Sequence, residues 1–214
     1  MRKLMIIGAG GHGRVIADIA QKTGLYGHIA FLDDDLSRKL PGYELMGKVN
    51  EYQKWKDTHE FIVAVGNNRI RNDIQKALEK QVTITTLIHP CASIGEWVTL
   101  GAGTVAMANT AVNSGAVIGD GVIINTGSTI DHDCKIGNYV HVAPGSHISG
   151  NVSIGDRAWI GVGSSIVNNI CLCDECIIGA GAVVVGDIKV MGTYVGVPAR
   201  RIRHGGENAS SGIL

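Results

Sequence analysis

An uninterrupted six-residue repeat fills the second half of the chain and restricts its fold more than any other feature. Counting from Ile94, sixteen hexads follow one another over 96 residues, and fifteen of them begin with Ile, Leu or Val. The fifth position is always Val, Thr, Ala, Ser, Cys or Ile, and the second is Gly at 95, 101, 119, 137, 155, 161 and 179. This pattern predicts a solenoid of short strands that bend after each hexad and stack in layers.

The first 88 residues have a different pattern, typical of alternating strands and helices. Apolar runs at 4–7 and 29–32 flank a segment, 14–23, whose apolar residues share one helical face, which predicts a βαβ unit. A buried strand at 61–65, an amphipathic helix after Gly66-Asn67-Asn68 and a strand at 82–88 are predicted next. The chain therefore divides into an α/β domain over 1–88, an all-β solenoid over 89–203 and a tail over 204–214 with the composition of a disordered segment.

The composition excludes several classes of function. Nineteen Lys and Arg balance nineteen Asp and Glu, so no basic field attracts a nucleic-acid backbone or an anionic membrane. The apolar run at 4–7 is too short for a signal peptide or a membrane span. We therefore expect a cytoplasmic protein without a nucleic-acid partner or membrane insertion, and its five cysteines are expected to be free thiols.

A glycine-rich loop follows the first predicted strand. Gly8, Gly10 and Gly13 spell G-x-G-x-x-G between a strand and a helix, and Asp33 lies 20 residues after Gly13, which is the dinucleotide fingerprint. However, 88 residues hold only one of the two mononucleotide-binding halves that NAD requires. A nucleotide diphosphate carrying another group therefore fits better than NAD, since the helix end favours phosphate. The alternative is a tight turn without a ligand.

Two of the eight histidines are candidate catalytic residues. His132 lies between Asp131 and Asp133, and His141 follows nine residues later on the next face of the solenoid. A histidine whose tautomer is fixed by a carboxylate can act as a general base. The alternative is a solvated corner residue.

Nucleophilic and metal chemistry have less support in the sequence. Cys134 neighbours His132, but it occupies a fifth position, which points into the core. His141 and His147 are six residues apart and point away from each other, so they cannot chelate one metal ion within a chain. The cysteines at 171, 173 and 176 lack a nearby fourth ligand. No metal site is therefore predicted.

Eight motifs together indicate a family. They are Gly-Ala-Gly-Gly-His-Gly at 8–13, Phe-Leu-Asp-Asp at 31–34, Val-Gly-Asn-Asn-Arg at 65–69, Ile-His-Pro at 88–90, Asn-Thr at 125–126, Asp-His-Asp-Cys at 131–134, His-Val-Ala-Pro-Gly at 141–145 and Gly-Val-Pro-Ala-Arg at 196–200. Over about residues 1–203 the chain resembles the bacterial acetyl-CoA-dependent N-acetyltransferases of UDP-linked 4-amino sugars and the related sialic acid O-acetyltransferases. The resemblance to hexapeptide-repeat proteins implies a left-handed parallel β-helix with three hexads per coil, hence a little over five coils.

The resemblance also implies roles for the residues of the acceptor site. The nucleotide diphosphate would be held by the glycine loop, with Gly8, Gly10, Gly11, His12 and Gly13. The uridine would be bound by Asp33 and Asp34, and the same pocket would be bordered by Gly66, Asn67 and Asn68. Asn125 would lie close to the sugar.

The family's chemistry implies the remaining site residues. His132 would be the general base, supported by Asp133 where the family often has Glu. His141 would line the acetyl end, with the Gly150 amide placed for the acetyl carbonyl. Acetyl-CoA would lie as co-substrate in a groove between neighbouring β-helices of a homotrimer, toward a C-terminal segment formed by Val197, Pro198, Ala199 and Arg200. Acetyl transfer from a thioester to an amine needs a base and an oxyanion donor but no covalent intermediate. A sialate-type O-acetyltransferase and a non-catalytic nucleotide-binding trimer remain alternatives, and the sequence does not identify the sugar.

Overall fold

The computed structural model describes residues 1–202, which begin with a four-stranded parallel sheet and two helices. In chain order the elements are β1 (Arg2–Ile7), α1 (Gly11–Thr23), β2 (Tyr26–Leu32), β3 (Glu44–Leu45), a 3₁₀ helix (Val49–Lys54), β4 (Glu60–Val63) and α2 (Asn68–Leu78). The strand order is β3-β2-β1-β4. The carboxyl ends of β1 and β4 are therefore neighbours, and the glycine loop after β1 lies beside the turn after β4. This single doubly wound half confirms the predicted fold class of the first part.

The rest of the described chain is a left-handed parallel β-helix, as predicted. Seventeen two-residue strands follow at six-residue intervals, namely β5 (Leu87–Ile88), β6 (Ser93–Ile94), β7 (Thr99–Leu100), β8 (Val105–Ala106), β9 (Ala111–Val112), β10 (Val117–Ile118), β11 (Ile123–Ile124), β12 (Thr129–Ile130), β13 (Lys135–Ile136), β14 (His141–Val142), β15 (His147–Ile148), β16 (Ser153–Ile154), β17 (Trp159–Ile160), β18 (Ser165–Ile166), β19 (Cys171–Leu172), β20 (Ile177–Ile178) and β21 (Val183–Val184). β22 (Thr193–Val195) and β23 (Arg200–Arg201) end the β-helix as an antiparallel pair.

The strands form three flat faces of a triangular prism. The first face holds β5, β8, β11, β14, β17, β20, β22 and β23, the second holds β6, β9, β12, β15, β18 and β21, and the third holds β7, β10, β13, β16 and β19. Successive strands on one face pair in parallel at a spacing of 18 residues, as Val117 pairs with Lys135. Residues 131–134 connect β12 to β13, so they form a corner between the second and third faces, opposite the first face.

The turns between strands use two different sets of residues. The fourth position of every hexad from 97 to 181 has a positive φ, whether it is Gly, as at 103 and 121, or not, as at Asp133 and Tyr139. The second-position glycines have no positive φ. At Gly119, for example, a Cβ would lie 2.8 Å from the Gly137 carbonyl carbon of the next coil. These glycines are therefore required by the close approach of stacked coils and not, as predicted, by the bend itself.

The core of the β-helix is built from the first and fifth positions of the hexads. Fifth-position residues such as Ala116, Cys134 and Cys176 are completely buried, together with the aliphatic first positions such as Ile130 and Ile148. The inward direction predicted for Cys134 is confirmed, and all five cysteines are free.

The α/β part packs directly on the first face. Ile16 and Ile19 of α1 share one buried cluster with Met107 and Ile123, which lie on or beside that face. The strand predicted at 82–88 is shorter than expected, because Ile84 makes only an isolated bridge to Phe61 and β5 already pairs with β8 of the β-helix. No helix within residues 1–202 is long and apolar enough to cross a membrane. The tail predicted at 204–214 lies outside the described residues.

Candidate active site

The glycine loop forms a tight turn with an open mouth. Gly8 has φ of 106°, and a Cβ there would lie 2.9 Å from the Ala64 carbonyl oxygen, while a Cβ on Gly13 would lie 2.0 Å from the Gly8 carbonyl oxygen. Among residues 1–202, a Cβ on Gly11 would meet nothing within 4 Å, and a Cβ on Gly10 would meet only Arg38 Nη1, at 4.0 Å. Gly10 is the N-cap of α1 and contributes no side chain, and the first turn of the helix carries no acidic residue. The end of α1 is therefore accessible to an anion.

The predicted uridine-binding acids are engaged within the protein. The Ala9 amide donates to Asp33 Oδ2 at 2.6 Å and the Asp35 amide donates to Asp33 Oδ1 at 2.8 Å. Asp34 Oδ1 accepts from the Val49 amide at 3.2 Å. Asp33 therefore fixes the conformation of the glycine loop, and Asp34 keeps one carboxylate oxygen without a protein donor among the described residues.

Arg38 reaches the mouth of the glycine loop, a contact that sequence reasoning missed. Its Nη1 lies 4.0 Å from the Cβ position of Gly10, and its Nε lies 3.6 Å from Asp33 Oδ2 and 3.5 Å from Asp35 Oδ2. The Ser37 hydroxyl donates to Asp35 Oδ1 at 2.6 Å, which fixes the turn before Arg38. The guanidinium thus brings a positive charge to the place where the loop and the helix favour phosphate. No sequence motif between β2 and β3 indicates that Arg38 contacts the glycine loop, because the contact depends on the conformation of the turn that precedes Arg38.

The turn after β4 carries the predicted Gly66-Asn67-Asn68 segment. Asn67 caps α2, because its Oδ1 accepts from the Arg69 and Ile70 amides, both at 3.1 Å. Asn68 is buried, and its Nδ2 donates to the carbonyls of Arg157 and Ala158 of the β-helix at 3.1 and 3.0 Å. Asn67 therefore has a capping role and Asn68 joins the two parts of the chain.

A cleft of about 500 Å³ opens between the N-terminus of α2 and the C-terminal coils of the first face. It extends from Gly66 to Trp159 and Met191, and its polar wall holds Glu175 between Arg69 and Arg157. Trp159 was not singled out from the sequence, although its ring lies 4.4 Å, centroid to centroid, from that of His141. The cleft is therefore continuous with the residues expected at the acceptor site.

His141 is buried on the first face and has a defined tautomer. The Thr126 amide donates to Asn125 Oδ1 at 2.8 Å, so Asn125 Nδ2 is the donor toward His141 Nε2 at 3.1 Å. The imidazole therefore accepts through Nε2 and carries its proton on Nδ1. Burial, followed by the positive charge of Arg71, lowers the pKa of His141 to about 3. His141 is a neutral hydrogen-bonding group at physiological pH.

His12 and Arg71 lie beside His141 where the two parts of the chain meet. Burial lowers the pKa of His12 to about 4, with a further contribution from Arg71, and its buried Nε2 has no hydrogen-bond partner within residues 1–202. Arg71 is 1 % exposed. No sequence motif marks Arg71, apart from its place three residues after Asn68, on the same side of α2.

His132 has the opposite environment. It is 59 % exposed at the corner between the second and third faces, and its Nδ1 lies 2.8 Å from Asp133 Oδ2. The bond to Asp133, and then the charge of Asp131, raise the pKa of His132 above its usual 6.5. Its Nε2 lies over Gly150 of the next coil, where a Cβ would be only 2.6 Å away. His132 therefore has a carboxylate on one nitrogen and a free second nitrogen directed along the corner.

The predicted site residues fall into separate groups within one chain. The loop at 8–13, the turn at 66–68, Asn125 and His141 lie on the side of the first face. The His132–Asp133 pair and Gly150 lie on the opposite corner. The segment 197–200 lies at the C-terminal end, where Val197 is exposed and the Ala199 amide donates to the Val183 carbonyl. One chain therefore presents two predicted half-sites on opposite sides of the prism.

Comparison with known proteins agrees with both parts of the fold. The model of the PglD N-terminal domain matches residues 3–78, and the model of the bacterial transferase hexapeptide repeat matches residues 115–150. The acetyltransferase domain of PglB from Neisseria gonorrhoeae FA1090 is 40 % identical, with a TM-score of 0.90, covering 94 % of this chain and 100 % of that chain. The same domain has been solved in complex with acetyl coenzyme A.

Two further relatives extend the comparison. A single-residue mutant of perosamine N-acetyltransferase from Caulobacter crescentus, solved with CoA and GDP-perosamine, is 33 % identical with a TM-score of 0.89, covering 95 % of this chain and 98 % of that one. UDP-N-acetylbacillosamine N-acetyltransferase of Bacillus subtilis is 35 % identical over 113 residues, which are 50 % of this chain and 52 % of that protein. The chain thus matches about half the length of this curated relative.

A half-Rossmann domain fixed on one face of a left-handed β-helix, with a histidine–carboxylate pair at a corner, defines a hexapeptide-repeat acetyltransferase. The chain belongs to the family of hexapeptide-repeat N-acetyltransferases with a PglD-type N-terminal domain. The family predicted from the eight motifs is confirmed.

Proposed function

We propose that this protein transfers the acetyl group of acetyl-CoA to the 4-amino group of a UDP-linked amino sugar. The observation that carries the proposal is the His132–Asp133 pair, whose free Nε2 lies beside Gly150 on the β-helix. The accessible N-terminus of α1 supports a nucleotide diphosphate as the part of the acceptor that the protein binds. The acceptors named for two relatives, UDP-N-acetylbacillosamine and GDP-perosamine, belong to the same chemical class.

The reaction moves one proton from the amine to the thiolate by way of His132, and it exchanges a C–S bond for a C–N bond. The neutral amine attacks the thioester carbonyl while His132 Nε2 accepts a proton from the nitrogen. A donor such as the Gly150 amide would stabilise the oxyanion that develops on the carbonyl oxygen. The C–N bond forms, the C–S bond breaks and the proton on His132 passes to the leaving thiolate, so that the products are the amide and CoA. His132 is then neutral again for the next cycle.

The electrostatics of the two histidines favour His132 as this base. Asp133 accepts from Nδ1 and so leaves Nε2 as the basic nitrogen, with a raised affinity for protons. His141, by contrast, already accepts from Asn125 through Nε2, and its pKa of about 3 makes it a poor base at neutral pH. His141 instead has the properties of a neutral group that orients the acceptor.

The complete site, in our proposal, forms between two copies of the chain in a homotrimer. The acceptor side of one subunit, with the glycine loop, Asn125 and His141, would face the His132 corner of its neighbour. This arrangement is supported by the position of the two half-sites on opposite sides of one prism. Acetyl-CoA, as co-substrate, would lie in the groove between the two β-helices, from Gly150 toward the segment 197–200.

A thiol-release assay tests this function directly. Acetyl-CoA is supplied with UDP-linked 4-amino sugars, a GDP-linked 4-amino sugar, free sialic acid or no acceptor, and release of CoA is followed with a thiol reagent. We expect release only with 4-amino nucleotide sugars, with UDP preferred, and mass spectrometry should find one acetyl group on the 4-nitrogen. Release with sialic acid alone would instead support an O-acetyltransferase. Binding of the UDP-sugars without release under any condition would support a scaffold.

A further inference from the structure

Arg71 of α2 is a buried cation whose hydrogen-bonding capacity is completely used. Its Nε donates to the Gly121 carbonyl at 2.7 Å, and its Nη1 donates to the carbonyls of Val65 and Gly66 at 2.9 and 3.1 Å. Its Nη2 donates to Asn68 Oδ1 at 2.9 Å and to the Tyr139 carbonyl at 2.8 Å. These five bonds use all five N–H groups of the guanidinium.

No carboxylate accompanies this charge within residues 1–202, where the ion pairs involve other basic residues. Burying a cation without a counter-ion is unfavourable unless its hydrogen bonds offset the lost hydration. A side chain that only links the two parts of the chain needs no charge. Gln75, one turn along the same helix, is a neutral example, and it donates to the Ala102 carbonyl at 2.9 Å. The charge and the forked shape of Arg71 therefore call for a more specific explanation.

The acceptors of Arg71 come from three segments that must be aligned for acetyl transfer. Val65 and Gly66 form the turn after β4, and Gly66 also lines the cleft next to α2. Gly121 and Tyr139 lie on successive coils of the β-helix, and Tyr139 is two residues before His141, the first residue of β14. One planar group thus fixes the distance between the turn of the α/β domain and the coil that carries His141.

We propose that Arg71 is a positioning residue, which sets the turn at Gly66 and the His141 coil in the spacing that a bound acceptor sugar requires. This inference rests on the proposed function, because the spacing matters only if the sugar lies between these segments. A rigid fork is needed for the task, since the ammonium of a lysine has three donors and cannot reach all five acceptors in their present positions.

The charge of Arg71 supports the same role through the neighbouring histidines. Burial is the main cause of the low pKa values of His12 and His141, and the positive charge of Arg71 lowers both further. The neutral form of His141 is the one that accepts from Asn125. Burial also lowers the pKa of Arg71 itself to about 9, which leaves the guanidinium charged at neutral pH. Arg71 therefore helps to fix the place of His141 and adds to the effect of burial that keeps it neutral.

Three variants separate this role from simple stabilisation. Arg71→Met removes charge and fork, Arg71→Lys keeps the charge alone, and Gln75→Met is a matched control that removes another buried link from the same helix. We expect both Arg71 variants to lower kcat about 10- to 100-fold, since small displacements of a bound substrate have effects of this size, while KM for acetyl-CoA changes less than twofold. Gln75→Met should lower the melting temperature but leave kcat within twofold of the parent.

Nitrogen-15 NMR of the histidine rings supplies a readout that does not depend on activity. The parent and Arg71→Lys should show His141 as a neutral Nδ1–H tautomer across pH 5.5 to 8, and Arg71→Met should show an upward shift of its titration. A kcat within twofold of the parent in both Arg71 variants, with only the melting temperature lowered, would overturn the positioning role, as would recovery of full kcat by Arg71→Lys. If the parent binds UDP-sugars but acetylates no acceptor, the proposed function is wrong. The NMR measurement still tests Arg71 in that case, because an unchanged His141 spectrum in Arg71→Met would show that Arg71 does not influence the protonation of His141.

Discussion

His132 and His141 are the same side chain on the same β-helix, and their surroundings give them opposite proton affinities. His132 is exposed and bonded to the Asp133 carboxylate, so its charged form is favoured. His141 is buried beside the ring of Trp159 and the charge of Arg71, so its charged form is disfavoured. Proton affinity here is therefore a property of position and not of residue type, which is why we propose His132 and not His141 as the base.

The pH dependence of the reaction tests the assignment of His132. A general base accepts a proton only when neutral, so activity is lost as the pH falls through its pKa, which Asp133 holds above 6.5. We expect an acidic limb of kcat/KM with a midpoint above 6.5. His132→Ala should lower kcat by about 10²- to 10⁴-fold and remove this limb, with little change in acetyl-CoA affinity.

Asp133→Asn is the matched variant for this measurement. An amide cannot supply the charge that raises the pKa of His132, so the acidic limb should move to lower pH, and kcat should fall less than in His132→Ala. A limb that persists unchanged in His132→Ala would assign the base to another group.

Arg38 gives a second prediction at this scale. Its guanidinium reaches the open mouth of the loop above Gly10, where we place the diphosphate. Arg38→Met should weaken binding of UDP about tenfold, because charge-assisted bonds to phosphate are stronger than neutral ones. Uridine binding should change much less. Lys39→Met removes the same charge one residue later and serves as the control in calorimetric titrations, and equal losses in both variants would indicate only a general effect of charge.

At the scale of the elements, the stacking of coils depends on glycines that have no unusual φ. A Cβ at Gly137 would lie 2.8 Å from the Asp156 amide nitrogen and the Gly155 carbonyl carbon, which are backbone atoms and cannot move aside. Gly137→Ala should therefore reduce the free energy of unfolding by about 1 to 3 kcal/mol. Gly186→Ala, where the space is open, should stay within about 0.5 kcal/mol of the parent in the same denaturant titrations.

The sequence predicts regular elements well and the contacts between them poorly. The hexad period located the strands β6 to β21, because each of these strands requires the same local pattern of one aliphatic and one small residue. Asp33 illustrates the limit. Its spacing from Gly13 fits a ligand-binding acid, yet its carboxylate bonds the Ala9 and Asp35 amides. Arg71 is a second case, since its acceptors lie up to 68 residues away and become neighbours only after the two parts of the chain have packed.

For the whole molecule, the two half-sites lead to a test by mixing. Gly10→Val should block the nucleotide loop, since a side chain there would occupy the open mouth, and His132→Ala should remove the base. If each site joins the loop of one subunit to the His132 of another, mixed trimers formed by unfolding and refolding both variants together contain some intact sites. We expect recovery of about a quarter of the parent activity in a one-to-one mixture.

Separately refolded samples that are combined afterwards serve as the control for exchange. Sedimentation should show a trimer for each variant and for the mixture. If the mixture is trimeric but stays as inactive as its components, the loop and the base would have to act within a single chain.

The 18-residue spacing of paired strands also has a consequence for how the chain folds. All-β proteins usually fold slowly, because their strands pair with distant partners, whereas here each new coil closes only a short loop onto the previous one. Growth can therefore proceed coil by coil from a seed, and the coils that Arg71 of α2 bonds at Gly121 and Tyr139 are candidates for it. Hydrogen exchange should accordingly be slowest around β11 and β14 and faster toward β19 and β21. Slowest exchange in those last coils would place the seed at the opposite end of the β-helix.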